Sequence, residues 1–449
     1  MTNKLIERDL KYIWHPCSQM KDYQRFKPLI VKSAKGPYIK LDDNTKIIDA
    51  ISSWWCKTLG HGHPRLKAAL LKQVDKFEHV IFANTTNEVI VELSEKLTSM
   101  TESLAKVFYA SEGSSAVEIA IKMSLHSRNI SGESKRKQIM SLQNSYHGET
   151  GLALAVSDVG LYRKPYVDVL APCAFLQNIP YVYSKNDPLW QDCAKFWPSI
   201  ETQLTTHAEQ LTAIIIEPIV QGSGGMLIYS QDFLKRLRAW TIKHNVHLVA
   251  DEIMTGFGRT GLPFAYQHAA IEPDFVCLAK GLTSGWLPMS AVLTTNKIYN
   301  LFYDDFKKNK SFLHSHTQSG NALAAAVALE CMKVIEEENI YSQVNIMEPI
   351  LCELMLEVAN KTKRLTNIRN IGAIVAADLV LTKRQQAERI GYKVFQKAVK
   401  LGALLRPLGN TIYWLPPLNV NKNVLLRLSK ITINAIDQVL GYKLYLKSL

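Results

Sequence analysis

The sequence predicts an α/β fold: a large unit around a mainly parallel sheet, and a smaller α+β unit built from both ends of the chain. Three observations carry this. Between about residues 100 and 300, short apolar runs alternate with segments of helical period, the rhythm of parallel strands joined by crossover helices. The first 60 residues and the last third break that rhythm. At 449 residues the chain exceeds one average domain, yet no internal repeat or Gly/Ser linker divides it. The expected division is 1–60 and 326–449 for the two parts of the small domain, with 61–325 as the large one.

Residues 106–110 (KVFYA) read as a buried strand. The small-residue turn SEGSS follows, and then a helix from near Ser115 with Val117, Ala120, Ile121 and Leu125 on one face. Residues 138–142 and 213–216 are strand-like, and Ser230 is the N-cap candidate for a helix over 231–244. Strands are next expected at 246–250, 275–279 and 290–293, with Gly- and Pro-containing turns between them. A long helix is expected over 323–338, and beyond Glu353 helices alternate with short strands such as 411–415.

Composition excludes several classes. With 47% hydrophobic and 21% charged residues the chain is globular rather than disordered. Its longest apolar stretches, 213–216 and 322–329, fall far short of the roughly 20 residues that span a bilayer. The opening MTNKLIERDLKYIWHP lacks the apolar core of a secretory signal, so a soluble cytoplasmic protein is expected. Seven scattered cysteines without a CxxC pair indicate neither a disulfide framework nor a metal site. The net charge of +13 is spread, concentrating only at Lys135, Arg136 and Lys137 and at Lys307, Lys308 and Lys310. No helix-turn-helix segment accompanies it, so nucleic acid is not the expected partner, while anionic small molecules remain open.

Three strand-end features carry the chemistry. The turn 110–115 (ASEGSS) runs from a strand into a helix, where unpaired N–H groups and small side chains admit a phosphate; many βα turns look alike without one. Asp251 follows the apolar run 246–250, at the strand end where open parallel sheets bind ligands, although a strand-end acid is also an ordinary cap. Lys280 follows the run 275–279, where desolvation can make a lysine a nucleophilic amine; most lysines are simply solvated. Together they supply the three handles of pyridoxal phosphate: a phosphate cradle, a carboxylate for the pyridinium nitrogen and an amine for the aldehyde. Tyr146, in SYHGET, adds a ring that can stack on that cofactor or sit buried with its hydroxyl satisfied.

Five stretches, IIIEPIVQGSGGM (214–226), DEIMTGFGRTG (251–261), LAKGLTSGWLPMSAVL (278–293), SYHGET (145–150) and HSHTQSGNALAAAVALE (314–330), resemble the class-III, or omega, aminotransferases of PLP fold type I. The resemblance runs over nearly the whole chain. Within that family, WHPCSQMKDY (14–23), Ser53-Trp54-Trp55 and RPLGNTIYWLPP (406–417) resemble the biotin-synthesis branch. That branch converts 8-amino-7-oxononanoate to 7,8-diaminononanoate.

The resemblance implies roles position by position. Lys280 would bond the cofactor and shuttle the proton, Asp251 would hold the pyridine nitrogen, and Tyr146 would stack on the ring. Gly113 and Ser114 would hold the phosphate, joined by Thr317 from the second subunit of a homodimer with shared active sites. Glu217 and Ile253 would be further cofactor contacts. Trp54 and Trp55 would line the substrate channel and Arg406 would hold the oxo-acid carboxylate, while Arg259, Gly281, His316 and Tyr413 would complete the pocket. A planar guanidinium suits a carboxylate, and tryptophan walls suit an aliphatic chain. Read without the family, Arg406 is a surface ion-pair residue and the tryptophans are core, although neighbours on a strand face opposite sides. S-adenosylmethionine is the implied amino donor. Many users of that donor carry Tyr where Cys17 stands and Pro where His316 stands, and a lysine-using branch does not, so lysine is the alternative; another omega-aminotransferase is the further one.

Overall fold

The computed structural model describes residues 2–441, with side-chain surroundings from residue 4. Met1 of the opening segment and residues 442–449 of the expected C-terminal part lie outside the described residues. Its centre is a seven-stranded sheet. In chain order the strands are β1 (Leu104–Ala110), β2 (Gln138–Leu142), β3 (Cys173–Leu176), β4 (Leu211–Ile216), β5 (His247–Asp251), β6 (Phe275–Leu278) and β7 (Ser290–Thr295). Across the sheet they run β3-β2-β4-β5-β6-β7-β1. β3 to β6 pair in parallel through β2, β4 and β5, whereas β7 is antiparallel to both its neighbours. That one reversal departs from strands joined only by crossover helices. Only residues 279–289 link β6 to β7, fewer than a parallel crossover needs, and the 3-10 turn Lys280–Thr283 occupies part of them.

Apolar runs become buried strands because both sheet faces are covered. Ile214, Ile216, Leu248, Ala250, Val276 and Leu278 face one hydrophobic cluster. Their alternates Ala213, Ile215, Val249, Phe275 and Cys277 face the other, together with Val117, Ala120 and Ile121 of the helix Gly113–Ile130. That helix begins two residues before Ser115. Ser230 caps the helix Gln231–Lys243, its hydroxyl accepting from the N–H groups of Asp232 and Phe233 at 3.1 and 3.3 Å.

The chain ends meet in one small sheet of Val31–Lys35, Tyr38–Leu41, Lys46–Asp49 and Ala403–Leu404, the last two parallel with Ile48 opposite Ala403. A second sheet holds Leu365–Ile371, Ile374–Leu379 and Thr411–Trp414. The helices Ile340–Thr362 and Ile390–Leu401 both pack on Lys422–Leu440. Residues 325 and 326 lie inside the helix Ala322–Glu337, which packs on Pro64–Val74 and Glu88–Ser99. No helix among the described residues is long and apolar enough to cross a membrane.

Candidate active site

The carboxyl ends of β1, β5 and β6 open onto one cavity of about 600 Å³, lined among others by Gly113, Ser114, Tyr146, Glu217, Asp251 and Lys280. Open α/β sheets bind ligands at such ends. Asp251, the last residue of β5, is buried; one carboxylate oxygen accepts from His147 Nδ1 at 2.7 Å and the other from the Ile253 N–H at 3.1 Å. Lys280 stands two residues past the end of β6 with φ +39, and its Nζ lies 4.6 Å from the centroid of the Trp55 ring. Burial strips water from its ammonium and lowers its pKa, against the opposing charges of Asp251 and Glu217. Glu217 accepts from the N–H groups of Tyr146 and Gly222, both at 2.9 Å. Burial pushes its carboxyl up to about 7, with the imidazole of His147 opposing and the charge of Asp251 adding to the rise.

The side of this floor facing β1 is a cradle of small residues. The helix Gly113–Ile130 starts with no side-chain cap, leaving its first N–H groups and the positive end of its dipole toward the cavity. A Cβ on Gly113 would stand 2.9 Å from Ile253 Cδ1, and one on Gly148 only 2.5 Å from Ser114 Cβ. Gly148, at φ +128, is therefore required by packing, while a side chain at position 113 would have to displace Ile253. Tyr146 donates from its hydroxyl to Glu149 at 2.9 Å and packs edge-on against Tyr162.

The opposite wall comes from chain segments far from the sheet. Trp54, Trp55, Pro16 and Cys17 line the cavity. Trp55 donates from Nε1 to the Tyr413 hydroxyl at 3.0 Å, so Tyr413 stands behind it, buried. Burial raises the Tyr413 phenol and keeps it protonated. The guanidinium carbon of Arg406 lies 4.3 Å from the Trp54 ring centroid, and its NH2 donates to the Cys17 carbonyl at 3.1 Å.

Six residues singled out in the sequence do not line this cavity: Tyr413 and Arg406, which contact its tryptophans, and Arg259, Gly281, Thr317 and His316. Arg259 is buried and donates to the carbonyls of Pro416 at 2.6 Å and Ala373 at 3.4 Å, and burial lowers it to about 9. Its guanidinium ties β5's following loop to the C-terminal segment. Gly281 is buried where a Cβ would meet Thr58 Oγ1 at 3.0 Å. Thr317 is exposed, its carbonyl 2.8 Å from His79 Nε2, and His316 bonds through its N–H to Ser319 Oγ at 3.2 Å. Sequence reasoning missed His147, which stood in the quoted SYHGET but drew no role. A titratable ring next to Tyr146 was the available signal, but its reach across to Asp251 depends on β2 and β5 being brought near each other.

The pattern of the aminotransferase class-III family matches residues 19–436. The adenosylmethionine-8-amino-7-oxononanoate aminotransferase of Helicobacter pylori is 40% identical over 417 residues, covering 92% of this chain and 93% of that protein. The enzyme of the same name from Aquifex aeolicus is 36% identical, covering 94% of each chain. Among solved structures, that of the Methanocaldococcus jannaschii enzyme of this name has a TM-score of 0.90 at 31% identity, covering 98% of this chain and 100% of its own. A PLP-bound amine transaminase from an uncultivated Pseudomonas species has a TM-score of 0.87 at 29% identity, covering 95% and 99%.

Proposed function

The chain belongs to the class-III aminotransferase family, and we propose that it transfers an amino group from S-adenosylmethionine to 8-amino-7-oxononanoate, forming 7,8-diaminononanoate for biotin synthesis in the cytoplasm. As a class-III aminotransferase it uses pyridoxal 5'-phosphate. The residues present fit that group: an uncapped helix start beside two glycines that a Cβ would block, a buried carboxylate, and a desolvated amine on one cavity. Bound there, the cofactor supplies an aldehyde for the migrating amino group and a ring that spreads charge from the reacting carbon.

The protein's own part is binding, orientation and proton handling. The N–H groups at Gly113 and Ser114 would hold the phosphate, and Asp251, oriented by His147, would face the pyridine nitrogen. Lys280 Nζ, its ammonium disfavoured by burial, would take a proton and return it. Tyr146 and Ile253 would bracket the ring, and Glu217 would tether the Tyr146 backbone beneath it.

The observation that carries the choice of substrate is Arg406 stacked on Trp54, with Lys280 over the neighbouring Trp55. A cation at one end and indole walls between suit a long aliphatic acid whose carbonyl reacts at the other end. The names of the relatives support the same reading and the same donor. Purified holoprotein given 8-amino-7-oxononanoate should form 7,8-diaminononanoate with S-adenosylmethionine. Product with lysine alone would move the donor to lysine. No product with either, alongside turnover of other amines, would make it another omega-aminotransferase.

The working unit in this reading is a homodimer with shared sites, in which Thr317, exposed and off its own cavity, serves the other subunit's phosphate. In the same reading residues 61–325 make up the large domain, and 2–60 with 326–441 the small one, the helix Ala322–Glu337 spanning the boundary. A monomer that turns over fully during sedimentation would remove the dimer.

A further inference from the structure

The strand Lys46–Asp49 runs into a turn whose backbone is unusual for its residues. Ser52, Ser53, Trp54 and Trp55 have φ of +50, +46, +74 and +72, four successive left-handed positions without a glycine among them. For L-residues this crowds Cβ against the following carbonyl oxygen, so such a run persists only where its surroundings over-determine it.

The surroundings converge on Asp49, whose side chain has no solvent exposure. One carboxylate oxygen accepts from the Ser53 N–H at 2.9 Å and, more loosely, from the Ile51 N–H at 3.4 Å. The other accepts from Ser53 Oγ at 2.6 Å and faces His61 Nε2 at 2.8 Å. His61 is itself fixed, exchanging two backbone hydrogen bonds of 2.8 Å with Gly36. Burial alone would raise the Asp49 carboxyl, yet the bonds from His61 and Ser53 hold it below its ordinary range. None of these groups lines the cavity, but the turn they hold ends in the two tryptophans that do.

We infer that Asp49, clamped by His61, is a positioning residue: it holds Ser52–Trp55 left-handed, so that Trp54 lies under Arg406 and Trp55 over Lys280. Relaxation of the turn toward ordinary backbone would swing both rings and separate Arg406 from the wall on which it stacks. This inference rests on the acceptor reading above and predicts an effect on acceptor binding with little effect on the donor half-reaction.

The test uses PLP-loaded Asp49→Ala, Asp49→Asn and the double variant Asp49→Ala/Ser53→Gly. Asp49→Ala should raise KM for 8-amino-7-oxononanoate at least about tenfold and leave the donor half-reaction within about threefold. Asn, which keeps one acceptor oxygen, should fall between and carries the test if the alanine variant does not fold. Glycine tolerates the left-handed backbone, so Ser53→Gly should recover part of the lost acceptor affinity, a rescue that a purely structural buried carboxylate would not give. A second readout needs no substrate: acrylamide quenching assigned to Trp54, by difference from the matching Trp54→Phe proteins, should increase in Asp49→Ala. Equal losses in both half-reactions without glycine rescue, or unchanged Trp54 quenching, would overturn the inference. An unaltered protein that quenches as expected but fails to aminate the oxo-acid would overturn the acceptor reading alone.

Discussion

The floor and the wall of the cavity are built on opposite plans. The floor is local in the fold: Asp251 and Lys280 stand at the ends of neighbouring strands, and His147, Glu217 and Gly113 come from the turns beside them. Desolvation of these two groups shifts Lys280 down and Glu217 up. The wall joins Cys17, Trp54 and Arg406, drawn from both ends of the chain, and Trp54 keeps 39% of its surface exposed. Proton chemistry needs perturbed groups in fixed geometry, whereas discrimination between acids needs a cation and apolar surface at a set distance. Floor variants should therefore damage both half-reactions, and wall variants only the one involving the oxo-acid.

Lys280→Ala should break the floor most severely. It removes the amine, and turnover should fall by on the order of 10³-fold or more with either substrate, measured by single-turnover absorbance. Turnover near that of the unaltered protein would take Lys280 out of the chemistry. Asp251→Asn should follow, at about 10²-fold in both half-reactions. An amide keeps one acceptor for His147 Nδ1 or the Ile253 N–H but loses the charge that, in the proposed reading, would face the ring nitrogen.

The wall should respond differently. Arg406→Ala should raise KM for 8-amino-7-oxononanoate by at least roughly tenfold, about 1.4 kcal/mol, with the donor half-reaction far less affected. Arg406→Lys should recover only part, because an ammonium lacks the planar paired geometry. Equal losses in both halves would erase the distinction between wall and floor.

The smallest effect sharpens the floor. Burial pushes the Glu217 carboxyl up to about 7 from an ordinary 4.5, so its contribution to stability is expected to be complete below about 4.5 and to decline as pH rises through 7. The full difference corresponds to about 3 kcal/mol. Glu217→Gln should flatten the fall in denaturation midpoint between pH 5 and 8 relative to the unaltered protein. Parallel pH profiles for the two proteins would show that Glu217 is not desolvated as described.

Much of this was legible in the chain. The buried strands were visible because a parallel sheet covered on both faces demands unbroken apolar runs, and β2 has the bounds read from sequence. Strand ends were less visible: β1 begins at Leu104 rather than 106 and β7 continues to Thr295 rather than 293, since pairing with each other satisfies backbone groups whatever the side chain. The antiparallel direction of β7 was invisible to periodicity, which is alike for both directions. Arg259 reads as an available cation in GFGRTG, but its carbonyl partners come from Ala373 and Pro416.

The sequence by itself determined the covalent inventory of the site: a lysine and an aspartate at the ends of apolar strands, small residues at a helix start, and paired tryptophans and an arginine in recognisable surroundings. These follow from local rules, since strand period, cap chemistry and glycine's small size act over a few residues. Tertiary structure decided which groups face one another. It set His147 against Asp251, Arg406 on Trp54, and a carboxylate at Asp49 beneath a left-handed turn that no local preference would select. Such contacts join residues up to hundreds of positions apart, and they form only when the packed sheets bring their backbones together.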